Sequence, residues 1–258
     1  MKKQLFLAIA MVTTLALNAQ VKAKPEDTEY YSPVPKKVTP AKGITAAPSD
    51  AIVLFNGTNL DEWELVNHPD SKETWDLVDA TMRVSKTNGD IQTKRKFMNY
   101  QMHIEYLIPS YITGSGQARG NSGIFLASLP VGIGNAGGYE LQVLDNFTNT
   151  TYVNGQVGSI YKQTPPLVNA ALPAGEWQTY DVIWTAPLFN EDGTLKSAAR
   201  ITVFHNGILV QNDFVLKGDT PYIGQPVYVK HGASPIKLQA HGDKSEPLSY
   251  RNIWVRPL

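Results

Sequence analysis

The sequence predicts an all-β sandwich, and three observations predict it. Apolar and polar residues alternate with a period of two through several short segments. Gly and Pro turns separate those segments, and after the first twenty residues no stretch sustains the 3.6-residue apolar period of an amphipathic helix. Asn206-Gly207 lies between Ile201-Thr202-Val203-Phe204 and Ile208-Leu209-Val210, a strong signal for a type I′ hairpin. Many short strands without interposed helices fold as a sandwich or jelly roll.

Taken in order, the chain opens with Lys2 and Lys3 and then an apolar run from Leu5 to Leu17. A positive start and an apolar run shorter than the roughly 20 residues that span a bilayer describe an export signal. Ala19 suits the position before the cut, although Leu17, two residues earlier, fits poorly. Residues 1–20 are therefore expected to be a signal peptide, cleaved to leave a periplasmic or extracellular protein with no membrane span. Residues 21–50 are polar and carry Pro25, Pro33, Pro35, Pro40 and Pro48. Each proline removes a donor and restricts its predecessor, so this stretch reads as a disordered, extended tether. Residues 51–258 suit one β domain and contain no internal repeat.

Composition excludes several functions. The 258 residues include no cysteine, which rules out lipidation at an N-terminal Cys, disulfides, thiolate metal sites and Cys nucleophiles. Lys plus Arg and Asp plus Glu balance at 23 each, so no long-range field gathers nucleic acid or an anionic membrane. A neutral or sugar-like small ligand fits that balance.

Within the domain, Tyr100 to Tyr106 places its large apolar groups on one face and Gln101, His103 and Glu105 on the other. Gly138 to Val143 sets Tyr139, Leu141 and Val143 against Glu140 and Gln142, and Ile236 to His241 aligns Lys237, Gln239 and His241. Further strands are expected over Thr179–Trp184, Arg200–His205 and Ser249–Arg256. Two glycine-rich stretches, 114–117 and 132–138, open no helix in a βαβ unit and carry no Lys-Ser or Lys-Thr, so they read as loops bordering a groove, not phosphate cradles.

Several phrases then match a known family in order along the domain. They include Leu54-Phe55-Asn56-Gly57, Gly120-Asn121-Ser122-Gly123-Ile124-Phe125-Leu126 and Gly138-Tyr139-Glu140-Leu141-Gln142-Val143-Leu144-Asp145. Gly158-Ser159-Ile160-Tyr161, Gly175-Glu176-Trp177, Leu238-Gln239-Ala240-His241-Gly242 and the closing Tyr250-Arg251-Asn252-Ile253-Trp254 follow. The chain thus resembles the 3-keto-disaccharide hydrolase family. The resemblance implies a concanavalin A-like jelly roll of two antiparallel sheets with a ligand groove on one. It also implies cleavage of 3-keto-glycosides, by hydrolysis or by C1–C2 elimination followed by hydration. Where members often carry Asp-Gly after an early Trp, this chain reads Trp75-Asp76-Leu77-Val78-Asp79-Ala80.

Such chemistry needs a base near C2, an electrophile at the keto oxygen and an acid for the leaving group. Glu140 and Gln142 share a strand face about 7 Å apart, which suits a carboxyl beside a hydroxyl-binding amide. Glu140 or His241 is the expected base, and Arg251 is expected at the keto oxygen or on a carboxylate such as Glu140. Asn121, Gln142, Lys162, Gln239, Glu105 and His103 are the expected sugar contacts, with Gly123 opening the backbone to a ligand. No metal motif is present, but Glu140 and His241 from separate strands could share one divalent ion. Two other functions fit the same pattern: a non-catalytic carbohydrate-binding module, and a two-carboxylate glycosidase pairing Glu140 with Asp145 or Glu105.

Overall fold

The computed structural model describes residues 22–37, 47–130 and 137–258; the expected export signal lies outside them, as does most of the glycine-rich loop 132–138. Two antiparallel sheets pack face to face. The larger orders its strands Ile208–Val215, Arg200–His205, Trp177–Thr185, Tyr100–Leu107, Ser249–Pro257, Thr81–Arg83 and Asp76–Val78, with Ile52–Phe55 also paired to Ser249–Pro257. The smaller runs Trp63–Leu65, Ile91–Thr93, Lys237–Leu238, Ser122–Ser128 and Gly138–Val143. This is the jelly-roll sandwich that the alternation predicts.

The alternating faces explain the core. Tyr100, Met102, Ile104 and Tyr106 from the larger sheet meet Ile124, Leu126, Tyr139, Leu141 and Val143 from the smaller, all fully buried. Each buried aliphatic side chain contributes roughly 1.5–3 kcal/mol by leaving water. Three tyrosines of the larger sheet also reach across with their hydroxyls. Tyr100 donates to the Leu126 carbonyl at 2.6 Å, Tyr180 to the Gln142 carbonyl at 2.8 Å, and Tyr250 to Ser122 Oγ at 2.7 Å. A buried phenol needs a partner, and here that need ties the two sheets at fixed points.

Asn206 and Gly207 both take positive φ, 53° and 79°, as a type I′ hairpin requires. His205, which by position alone is a hairpin flank, is buried instead, with Nε2 2.9 Å from Tyr106 Oη. Burial pushes its pKa down to about 3, so it is a neutral core residue.

Residues 22–37 correct the expectation of a free tether over 21–50. They form a strap along the domain: Pro25–Thr28 makes a 3-10 turn, and Lys36–Lys37 pairs in parallel with Val168–Asn169. Val153 N–H donates to the Tyr30 carbonyl at 2.8 Å and Asn154 Nδ2 to the Thr28 carbonyl at 3.0 Å. Proline content describes the strap's own extended backbone; donors a hundred residues away decide that it docks.

Candidate active site

Three adjacent strands of the smaller sheet array polar side chains on its outer face, in rows fixed by register. Phe125 stands opposite both Glu140 and Lys237. Gly123 stands opposite Gln142, and its carbonyl accepts from Gln239 N–H at 2.9 Å. Asn121 and His241 extend the rows. A cavity of about 500 Å³ opens over them, within the roughly 300–1,000 Å³ range of small-ligand sites. Asn121, Phe125, Glu140, Gln142, Gln239 and His241 form its floor.

Glu140 is 6% exposed, and among the described residues no hydrogen-bond donor engages its carboxyl. Burial pushes its pKa up to about 8; Lys237 works against this shift and Asp90 works with it. Lys237 is drawn elsewhere, with its ammonium 3.7 Å over the Phe125 ring and 3.3 Å from Asp90. Gly123 is what admits the carboxyl, because a Cβ there would stand 2.3 Å from Glu140 Oε1. The missing side chain that the sequence suggests for ligand approach is filled by Glu140.

His241 is backed by a carboxylate, its Nδ1 lying 2.7 Å from Asp243 Oδ2. Burial raises the Asp243 carboxyl, but hydrogen bonds from His241, Ser245 and Lys86 outweigh it and hold the group far below the usual carboxylate range. Lys86 Nζ stands 2.9 Å from Asp243 Oδ1, and Ser245 donates to the same oxygen. An imidazole whose Nδ1–H is committed to a carboxylate keeps Nε2 as its basic nitrogen.

The amides are ordered in series. Gln142 Nε2 donates to Asn121 Oδ1 at 2.9 Å, and Asn121 Nδ2 donates to the Gln117 carbonyl at 2.8 Å. Gln239 Oε1 is buried without a partner among the described residues. An orphaned acceptor in a polar cavity suits a ligand hydroxyl. Tyr152, Tyr161 and Tyr222 supply an aromatic wall, and Glu29 of the strap a second carboxyl.

The structure therefore brings together Glu140, Gln142, Asn121, Gln239 and His241, and leaves four expected residues elsewhere. Arg251, Glu105 and His103 lie on the larger sheet, away from the cavity lining. Arg251 Nε donates to Glu105 Oε2 at 2.7 Å and its guanidinium lies 3.9 Å over the Trp177 ring. His103 Nδ1 is 2.7 Å from Asp181, and its ring stacks on Trp254. These groups satisfy one another, which makes them a structural network, and Arg251 is not poised at a keto oxygen over Glu140. Lys162 does not line the cavity either. Its ammonium donates to the carbonyls of Tyr222 at 2.8 Å and Pro25 at 3.0 Å.

The pairs considered for a two-carboxylate glycosidase also separate. Asp145 pairs with Arg119 at 2.7 Å, Glu105 sits on the other sheet, and neither lines the cavity. Among the described residues no group of three or more His, Asp or Glu side chains is arranged to hold a metal ion, so Glu140 and His241 do not complete a donor set. Sequence reasoning missed Glu29, the three tyrosines and Asp243, whereas Gln117 belongs to the 114–117 loop expected to border the groove. The loop and strap residues carry no periodic signal, whereas the His241-x-Asp243 spacing was visible in the chain.

Fold and site together define a jelly-roll protein with a small-molecule cavity seated on its smaller sheet. The chain belongs to the 3-keto-α-glucoside-1,2-lyase-like domain family, whose match covers residues 50–256. A candidate glycosyl hydrolase of known structure from Parabacteroides distasonis is 52% identical, with a TM-score of 0.77 over 90% of this chain and 96% of that one. A second candidate glycosyl hydrolase from that organism is 19% identical, with a TM-score of 0.57 over 81% and 94% of the two chains, and shares the fold. No curated protein matches the sequence.

Proposed function

We propose that this protein is an exported glycoside-cleaving enzyme that acts on 3-keto-glycosides by eliminating the C1 substituent and hydrating the product. Family membership and the 52% identical candidate glycosyl hydrolase support the sugar substrate. The observation that carries the chemistry is one cavity holding a carboxyl with a pKa near 8 and an imidazole backed by Asp243.

A carbonyl at C3 acidifies the hydrogen at C2. His241 removes that proton through Nε2, while Asp243 holds the Nδ1–H and stabilises the imidazolium. The electrons of the C2–H bond become the C1–C2 double bond, and the C1–O bond breaks. Glu140, protonated up to about pH 8, gives its proton to the departing oxygen. Water then adds at C1 and C2 regains a proton, which restores a 3-keto sugar. Gln239 and the Gln142–Asn121 pair hold ring hydroxyls. A group that titrates near the working pH is the efficient proton donor or acceptor.

The test pairs a chromogenic 3-keto-glucoside with its unoxidised counterpart. Release from the oxidised substrate alone supports the proposal. Equal release from both, or none from the oxidised sugar with or without added divalent metal, refutes it.

A further inference from the structure

The strap is tied to the domain by hydrogen bonds to buried groups, and it delivers a side chain to the cavity. Asn154 is fully buried, and its Nδ2 spends a hydrogen bond on the Thr28 carbonyl at 3.0 Å. Lys162 is equally committed, with its side chain 3% exposed, its Nζ 3.0 Å from the Pro25 carbonyl and 3.5 Å from Glu29 Oε1. Val153 N–H donates to the Tyr30 carbonyl at 2.8 Å, and Tyr31 packs edge-on against Tyr152 at 6.3 Å. Farther along, Lys37 donates to the Phe147 carbonyl at 2.6 Å and lies 3.2 Å over its ring. Without the strap, buried donors of Asn154 and Lys162 would lose partners, which is costly inside a protein. The domain surface is therefore made for this segment.

Glu29 is the strap residue that lines the cavity. Tyr31 Oη donates to its Oε2 at 3.1 Å, and Lys162 holds Oε1 at the longer distance given above, so the carboxyl is aimed by two partners yet retains acceptor capacity. Tyr152, Tyr161 and Tyr222 share that wall, and Tyr152 and Tyr161 bond hydroxyl to hydroxyl at 2.8 Å. The proton-moving pair stands on the sheet floor and is served by other residues. An acceptor carboxyl among phenol rings matches a second sugar ring, whose hydroxyls donate and whose C–H face packs on aromatics. The family match begins at residue 50, so Glu29 comes from outside the matched domain, whereas the three tyrosines lie within it.

We propose that Glu29 is a specificity-determining residue: the strap forms a fixed wall of the cavity, and Glu29 accepts hydrogen bonds from the hydroxyls of the leaving sugar, selecting disaccharides over glycosides with small leaving groups. This rests on the glycoside reading above. The experiment compares full-length wild type, Glu29→Gln and Tyr31→Phe on a 3-keto-disaccharide and on methyl 3-keto-glucoside. For Glu29→Gln the KM for the disaccharide is expected to rise about tenfold, and the penalty on the methyl glycoside to be several-fold smaller; Tyr31→Phe should shift the ratio in the same direction. Equal penalties on both sugars, or none, overturn the assignment. Matched melting temperatures separate a lost contact from a lost fold. Should wild type turn over neither sugar, the cleavage reading fails, and calorimetric binding decides the strap's role. Tighter wild-type binding of the disaccharide that Glu29→Gln abolishes supports it; equal binding of the two sugars, or no binding, overturns it.

Discussion

The Glu140 carboxyl, together with His103, shapes the pH behaviour of the molecule near neutrality. Its pKa rises from 4.5 to about 8 on folding, because burial strips water from the charged form. Between those values the folded state binds more protons than the unfolded state, so stability falls as pH rises through the window, and above about pH 8 the full penalty is present. Thermal denaturation of wild type is expected to show a melting temperature that declines from pH 5 to 9. Glu140→Gln should show a shallower decline, the remainder coming from His103, whose pKa is raised from 6.5 to about 8, and be the more stable protein at pH 9, by on the order of a few kcal/mol. A wild-type curve that rises or stays flat would contradict a buried Glu140 carboxyl with a raised pKa. The same ionisation gives kcat/KM of wild type an alkaline limb near pH 8 if Glu140 is the acid.

Among the elements, strand alternation correctly grouped Glu140 with Gln142 and aligned Gln239 with His241, because a period of two assigns faces from local sequence. It placed His103, Glu105 and Arg251 on polar faces too, and those are also real. What alternation lacks is sheet membership. Tyr100–Leu107 pairs with Ser249–Pro257 and Trp177–Thr185, whereas Gly138–Val143 pairs with Ser122–Ser128, and these are choices between distant segments. Two polar faces that look alike in sequence thus end on different sheets, one as a closed ion network and one as a cavity floor. The turn after Lys237–Leu238 adds a part that neither face contains, since it curls Asp243 back onto His241 under the hold of Lys86 and Ser245. Asp243→Asn is expected to lower kcat about a hundredfold with little change in KM, as befits a positioning residue. Steady-state kinetics check this, and a KM effect with kcat preserved would make Asp243 a binding residue instead.

Across the whole molecule, the fold was legible because a cysteine-free chain of short alternating strands has few ways to bury its apolar faces. The strap was not. Residues 22–37 have the composition of a linker, and only the buried donors of Asn154 and Lys162, together with the Phe147 ring, turn them into a wall. The same long-range logic hid Tyr152, Tyr161 and Tyr222, which gather over the sheet from two loops, the first two on the connection after Gly138–Val143 and the third on the one after Ile208–Val215. In the proposed reaction, proton transfer at C2 cleaves the substrate in this cavity. Turnover of a 3-keto-glycoside in D₂O, with the released sugar analysed by NMR at early time, tests that claim most directly. Deuterium at C2 above the enzyme-free control is the expected result; release of a sugar that keeps its original C2 hydrogen would contradict it.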